Sequence, residues 1–442
     1  MSRRSMWLVF CVTIVSLACY SRAARNPYGR WLAQAIDTIE SQYIEPVDTE
    51  KLFEGAMRGM VGRLDDYSSF LPRQMKTFFD EALEQQYGGV GIEVNLTGTD
   101  DVKRLTVVSA RIGGPAYEAG VLAGDEIVDI DDVNTERFTL DDGLKLLRGK
   151  PGTTVTLRVR RAGYDEPLEF KITRALIKIE SVLGDVREKD GSWNYLLPGT
   201  DRIGYVRITS FGDLTVGEFA DAMKWLSERH CRGLVIDLRN NPGGLLDAAH
   251  EICDLFLPSG SVIVTTRGRD ARVRQEWRAT GSGPYQDLPL VVLVNGQSAS
   301  ASEIVAACLQ DHGRAKIVGE RSFGKGTVQN LIPVEAGRSS LKLTIATYWR
   351  PSEKNIHRMS TSKDTDDWGV RPDADGVVAL DPKEEVAWQE ARRQRDGRSP
   401  PPGDANNDGV DTSDPLQFDS QLRRAVDELR LELDGPAAAK AA

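Results

Sequence analysis

Ser298, Ser300 and Ser302 alternate in the small, polar stretch 295–303, and Lys325 follows between Gly324 and Gly326. A serine hydroxyl becomes a nucleophile only beside a proton acceptor, because its own pKa leaves almost no alkoxide at neutral pH. Histidine is the usual acceptor, but His230, His250, His312 and His357 are the only ones and none lies in a recognisable catalytic context. Lysine can take the role if burial lowers its pKa by a few units, since desolvation disfavours the charged form. Phe323 offers such a site an apolar wall, and the flanking glycines add little bulk. Gln329 lies four residues after Lys325, a spacing that returns to one face of a strand or helix, so its amide could orient the amine. The chemistry indicated is acyl transfer by a serine with a lysine base. Position alone does not decide among the three serines, and Ser302 with Glu303 could instead cap a helix.

Two strand-to-loop connections must position these groups. Leu290–Val294 reads as a fully buried strand that runs through 295–303 into the helical pattern 304–309. A hydroxyl in that turn lies beside the free N–H groups of a helix start, where an oxyanion would be stabilised. A second buried strand, 234–238, enters Asn240-Asn241-Pro242-Gly243-Gly244 and opens a helix with Leu245, Ala248, Ala249, Ile252 and Phe256 on one face. N–H groups of this loop could complete an oxyanion hole with Ala301, the plain alternative being a glycine connection with no ligand. Alternating strand and helix signals over 175–380 predict an α/β core. Between about 87 and 172 short β-like runs and glycine turns predict a small β-rich module, with one helix ending at Arg148-Gly149. Its loop at 88–92 could form an anion nest, and the following strand edge could pair with an extended peptide and capture a terminal carboxylate. A glycine-rich hairpin without that role is the alternative. The stretch 28–84 reads as helical, with Leu32, Ile36 and Ile39 on one face and a second helix ending near 65–68.

At 442 residues the chain is long enough for two or three domains, and a net charge of −10 argues against nucleic acid as a main partner. Arg3 and Arg4 precede the 13-residue apolar run 6–18, too short for a comfortable membrane span and closer to a signal peptide. Ser21-Arg22-Ala23 suits cleavage, an uncleaved anchor competes, and lipidation at Cys19 is the weaker reading because Ser16 replaces the usual leucine. Removing 1–23 would take the charge from −10 to −13 and leave Cys231, Cys253 and Cys308. That odd count argues against a disulfide framework or a zinc site. Segment 404–409 resembles the start of a calcium loop, but Pro415 stands where the twelfth-position carboxylate belongs. No metal or organic cofactor is expected. After Asp381 the chain turns polar and proline-rich, which reads as a linker, with a final amphipathic helix over 416–433.

Taken together, these residues resemble the carboxyl-terminal processing peptidases, or tail-specific proteases. The likeness runs over most of 28–373, carried by 298–304 (SASASEI), 310–314 (QDHGR), 318–329 (VGERSFGKGTVQ) and 237–244 (DLRNNPGG). In the β-rich module, 89–93 (GVGIE), 115–125 (PAYEAGVLAGD) and 147–152 (LRGKPG) resemble a PDZ domain. The resemblance implies a helical segment (27–85), a PDZ domain (86–174) and a crotonase-like α/β serine protease core (175–380), to which composition adds a polar linker and helical tail (381–442). It makes Ser300 the nucleophile, Lys325 the general base, Gln329 its orienting partner, and Gly243 or Gly244 with Ala301 the oxyanion donors. It places recognition of substrate C-termini at Gly89, Val90, Gly91 and Ile92, with the PDZ domain gating a narrow active-site tunnel. Arg148 becomes a candidate coupler of peptide binding to the active site, or equally a helix-end cation favoured by the dipole.

The implied activity is serine endopeptidase cleavage of exported proteins near apolar C-terminal tails, in the periplasm or at the outer face of the cytoplasmic membrane. A non-catalytic PDZ scaffold on a degenerate protease core is the alternative. Membrane anchorage through the N-terminus and a homo-oligomer stay open. Two stretches depart from the family pattern: 355–368 is longer and more polar than the usual short turn before Gly369-Val370-Arg371-Pro372-Asp373, and the tail beyond 381 matches nothing assigned.

Overall fold

Leu290–Val294 is buried at every position, and so is Gly233–Asp237 beside it. Strands covered on both faces read as continuous apolar runs, and here the cause is visible. The computed structural model describes residues 27–99, 102–397 and 414–434 with parts of 6–14. The expected cleavage site, Cys19 and segment 404–409 fall outside these residues. Two units emerge: Met1–Lys76 with Gln329–Thr344, and Thr77–Val328 with Ile345–Ala442.

In the second unit a five-stranded sheet runs in the order Val182–Leu183, Ile203–Ile208, Gly233–Asp237, Leu290–Val294, Lys316–Gly319. The last four strands are parallel and the first is antiparallel. Alternate side chains go to opposite faces. Val206, Ile208, Leu234, Ile236, Val292 and Val294 join a core with helices Thr215–Glu228, Leu246–Asp254 and Ala301–Asp311. Tyr205, Val235, Val291, Leu293 and Val318 face the other way, onto Leu422, Ala425, Val426 and Leu429 of helix Ser420–Asp434. Those four follow the i, i+3, i+4, i+7 rhythm of an amphipathic helix, and each large one buried contributes about 1.5–3 kcal/mol.

The segment after Asp381 is therefore more than a linker. Pro382–Arg395 is a helix, started by a capping box in which Asp381 accepts the N–H groups of Lys383 and Glu384. Its polar composition hides a buried face: Arg392 and Arg395 pair with the buried Asp185, and Asp396 takes both its carboxylate oxygens to Arg207 at 2.6 Å. Hydropathy does not register a helix whose buried side is arginine neutralised by aspartate.

The β-rich module, also in the second unit, has its strands in the order Ile92–Thr99, Val102–Ala110, Glu126–Ile130, Thr154–Arg160, Leu168–Thr173, with helices Pro115–Glu118 and Leu140–Leu147. Leu105, Val107, Ile130, Val155, Leu157 and Val159 form its core. A two-stranded ribbon, Gln86–Gly89 against Ala175–Lys178, holds its entry and exit together.

In the first unit, helices Pro27–Gln42 and Thr49–Val61 are followed by a strand, Ser69–Leu71, that pairs antiparallel with 340–342. The second helix ends at Val61, and the stretch expected to close it is a turn. Asp65 accepts the N–H groups of Tyr67 and Ser68 there, and the Ser68 and Thr344 hydroxyls as well. Residues 329–344, expected inside the α/β core, group with this N-terminal segment because they supply the partner strand.

Candidate active site

The C-terminal ends of Gly233–Asp237 and Leu290–Val294 lie side by side, with Asp237 opposite Leu293. Loops leaving adjacent parallel strands at that edge make the usual ligand crevice of an α/β sheet. Asn240 and Asn295 lock the two loops together: Asn240 N–H donates to Asn295 Oδ1 at 3.0 Å and Asn295 Nδ2 donates to Asn240 Oδ1 at 2.7 Å. One turn further, Ala299 N–H and the Ser302 hydroxyl both donate to the Asn241 carbonyl, each at 3.0 Å.

These bonds distinguish the three serines. The Ser298 hydroxyl donates to Leu238 O at 2.8 Å and accepts Asn295 N–H at 2.9 Å, closing its own turn. Ser302 is spent on Asn241, so it does not cap the helix. Ser300 stands between them at the helix start with φ 56° and ψ −114°, a left-handed conformation that costs a non-glycine residue on the order of 1–3 kcal/mol. The hydroxyl of Tyr348 has its pKa pushed up to about 12 by burial, an effect that the neighbouring Ser300 side chain opposes. Tyr348 N–H in turn donates to Gly326 O at 2.8 Å, beside Lys325.

Glu303 ties the serine turn to the lysine loop. Its Oε2 accepts the N–H groups of Ser300 at 2.9 Å and Lys325 at 2.8 Å; its Oε1 accepts Gly324 N–H at 2.7 Å and the Ser322 hydroxyl at 2.6 Å. Burial lifts this carboxyl up to about 7, and the four hydrogen bonds pull the other way. Side chains of Ser300 and Lys325 thus leave neighbouring points of backbone. Neither Glu303 nor Tyr348 was singled out by spacing as part of a site; the glutamate three residues after a serine was legible only as a cap.

The polar stretch 355–368 holds the lysine loop from its other side. A Cβ on Gly324 would lie 2.7 Å from Arg358 Cβ, and one on Gly326 would lie 2.3 Å from His357 N, so both glycines around Lys325 are demanded by close approach. Arg358 N–H donates to Gly324 O at 2.8 Å. Arg321 stacks on Trp368, 3.3 Å from the ring centroid, and donates to the carbonyls of Asp364, Asp366 and Trp368. Lys325 is half-buried, while Phe323, expected as an apolar wall, is 46% exposed.

In the loop 240–244, Gly243 N–H donates to Asn241 Oδ1 at 2.8 Å, whereas no acceptor for Gly244 N–H is found among the described residues. Ala301 opens its helix, where N–H groups lack intrahelical partners. Gln329 belongs to the first unit, where its amide donates to Thr344 Oγ1 at 3.4 Å.

In the β-rich module, Gly89 closes the ribbon strand opposite Ala175, Val90 O accepts Ala116 N–H, and Gly91 takes φ 77°. Ile92 starts the strand paired with Val102–Ala110. Arg148 ends helix Leu140–Leu147, but its guanidinium does more than face a dipole. It pairs with Glu81 and sits 4.7 and 4.8 Å from the ring centroids of Phe78 and Tyr87.

Comparison with known proteins adds family. Residues 202–375 match the model of peptidase family S41, 106–161 match that of a PDZ domain, and 24–75 match that of the activating protease CtpB N-terminal domain. The chain is 38% identical over 332 residues to a carboxy-terminal-processing protease of Bartonella bacilliformis, covering 74% of this chain and 72% of that one. It is 34% identical to carboxy-terminal processing protease CtpB of Bacillus subtilis (74% of this chain, 65% of the relative). It is 36% identical to a carboxyl-terminal-processing protease of Synechocystis (74% of each). With its PDZ domain and mixed α/β protease fold, this chain belongs to the carboxy-terminal processing proteases of peptidase family S41 and is a serine-type peptidase.

Proposed function

We propose that the chain is an exported endopeptidase that cleaves proteins near their C-terminal tails with Ser300 as nucleophile and Lys325 as general base. The observation that carries this reading is the convergence of Ser300 N–H and Lys325 N–H on one oxygen of Glu303. Ser300 Oγ attacks the scissile carbonyl carbon and passes its proton to the neutral Lys325 amine. The oxyanion is held by Ala301 N–H and Gly244 N–H, Gly243 N–H being engaged by Asn241. The amine leaves with the proton, and water then resolves the acyl-enzyme. Gln329 is assigned the orienting role by its place in the motif.

The PDZ domain captures the substrate's free C-terminus at Gly89–Ile92, and Arg148 relays that event through Glu81. Export rests on the charged and apolar N-terminal segment, and intact-mass measurement of the mature protein would read its cleavage, anchorage or lipid directly. For catalysis the test is a fluorogenic peptide with an apolar free C-terminus. Ser300→Ala and Lys325→Ala should each remain folded and lose at least roughly 1,000-fold in kcat. Lys325→Ala within twofold of the parent would remove the lysine mechanism.

A further inference from the structure

Arg239 immediately precedes the loop 240–244 and is almost wholly enclosed, with 1% of its side chain exposed. Its five N–H bonds all find acceptors. Nε donates to Asp237 at 3.0 Å and Nη2 donates to Asp237 Oδ2 at 2.6 Å. The remaining donors go to the C-terminal segment: Nη2 to Asp419 Oδ2 at 2.7 Å, Nη1 to Asp419 Oδ1 at 3.0 Å and Nη1 to Gln421 Oε1 at 3.0 Å. Trp388 closes the guanidinium face at 4.5 Å. Asp419 is itself held, because its Oδ1 also accepts Leu422 N–H at 2.8 Å at the start of helix Ser420–Asp434.

We infer that Asp419, from the segment beyond the protease-family match, is a positioning residue that sets the oxyanion loop through Arg239. The inference rests on the proposed roles of Ser300 and the loop 240–244. The physical path is short. A planar guanidinium gripped by carboxylates on two edges has one orientation, unlike a point charge. Arg239 so fixed leads within two residues to Asn241, whose carbonyl receives Ala299 N–H and the Ser302 hydroxyl on either side of Ser300. Asp237 alone grips one edge of the fork; Asp419 supplies the second. The C-terminal segment is accordingly part of the active-site scaffold, acting through Arg239.

The test compares Asp419→Asn, Asp419→Glu and Gln421→Leu in the full-length chain, using the same fluorogenic peptide and the acylation rate of Ser300 by a fluorophosphonate. The amide of Asp419→Asn turns a donor toward Arg239, so kcat and acylation rate should fall at least about tenfold with KM within about threefold. Asp419→Glu should restore part of the loss, and Gln421→Leu should show a smaller fall in the same constants. Assays run well below each variant's unfolding midpoint, so a merely stabilising role would leave kcat unmoved. Wild-type kcat in folded Asp419→Asn overturns the inference; if that variant does not fold, wild-type kcat in Gln421→Leu does so instead. Ser300→Ala serves as the separating control: if it is dead while Asp419→Asn is fully active, only this inference fails. If Ser300→Ala is active, the assignment of the nucleophile fails as well.

Discussion

Gly243 stands so close to Ser300 that a Cβ built on the glycine would lie 2.7 Å from the serine's Cβ. The same atom would meet Ala299 O at 2.7 Å and Ala301 N at 2.9 Å, and φ at this glycine is 98°. Backbone atoms cannot swing aside as a side-chain tip can, so Gly243→Ala must push the loop off the serine turn. The expected result is a fall of about 100-fold in kcat/KM, since displacements near 1 Å at a reacting centre are worth that much. Gly217→Ala, in the open on helix Thr215–Glu228, is the control and should be neutral or slightly stabilising. Equal activity in both variants would show that the close approach does not matter to turnover.

Glu303 carries a pH signature. Its folded-state value of about 7 lies above the ordinary 4.5, so the folded protein holds this proton more tightly than the unfolded chain. The stability it contributes is complete below about 4.5 and is lost as pH rises through about 7, a change of roughly 3 kcal/mol across the window. Glu303→Gln cannot titrate. Urea unfolding of both proteins from pH 5 to 8 should therefore show the parent losing ground to the variant as pH rises. Parallel curves would place the titration elsewhere. Glu303→Gln should also lose at least about tenfold in kcat, because the amide NH2 stands where one carboxylate oxygen accepted two of the four donors.

Trp368 is the third lever. It is 6% exposed, with Arg321 on its ring at 3.3 Å and Arg358 at 4.4 Å. Trp368→Ala should cost about 3–5 kcal/mol of stability by the usual penalty for a large buried aromatic. Activity should drop further than stability accounts for, because the Trp368 ring packs against Gly324, the residue before the lysine, where an added Cβ would lie 2.9 Å from it. Trp368→Phe, which keeps a ring under Arg321, should recover most of both. Turnover intact in a folded Trp368→Ala protein would detach 355–368 from the positioning of Lys325.

The alternating apolar runs, the glycines of 240–244 and the loop around Lys325 were readable directly from the chain, since burial on both faces leaves an unbroken hydrophobic strand and a tight turn leaves glycine. So was the serine-to-lysine spacing. Spacing alone left the choice among Ser298, Ser300 and Ser302 open, because hydroxyls at alternate positions have the same local chemistry, and only the family resemblance pointed to Ser300. What packing adds is that Ser298 and Ser302 are engaged by the carbonyls of Leu238 and Asn241, which arrive from a strand some sixty residues earlier.

The tail shows the same division more sharply. The single final helix expected over 416–433 is broken at Asp419 into Pro415–Phe418 and Ser420–Asp434, whereas Pro382–Arg395 looked like linker because its buried face is arginine. Charge written in the chain carries no sign of burial; only the arrival of Asp185 beside Arg392 and Arg395 offsets the cost of burying them. Local sequence determined which segments would be strands, turns and helices and which residue types could react. Long-range packing alone decided that a carboxylate at 303 would join the serine and lysine loops, and that one at 419 would grip the arginine that precedes the loop 240–244. Such contacts join residues too far apart in the chain for any periodicity to record them.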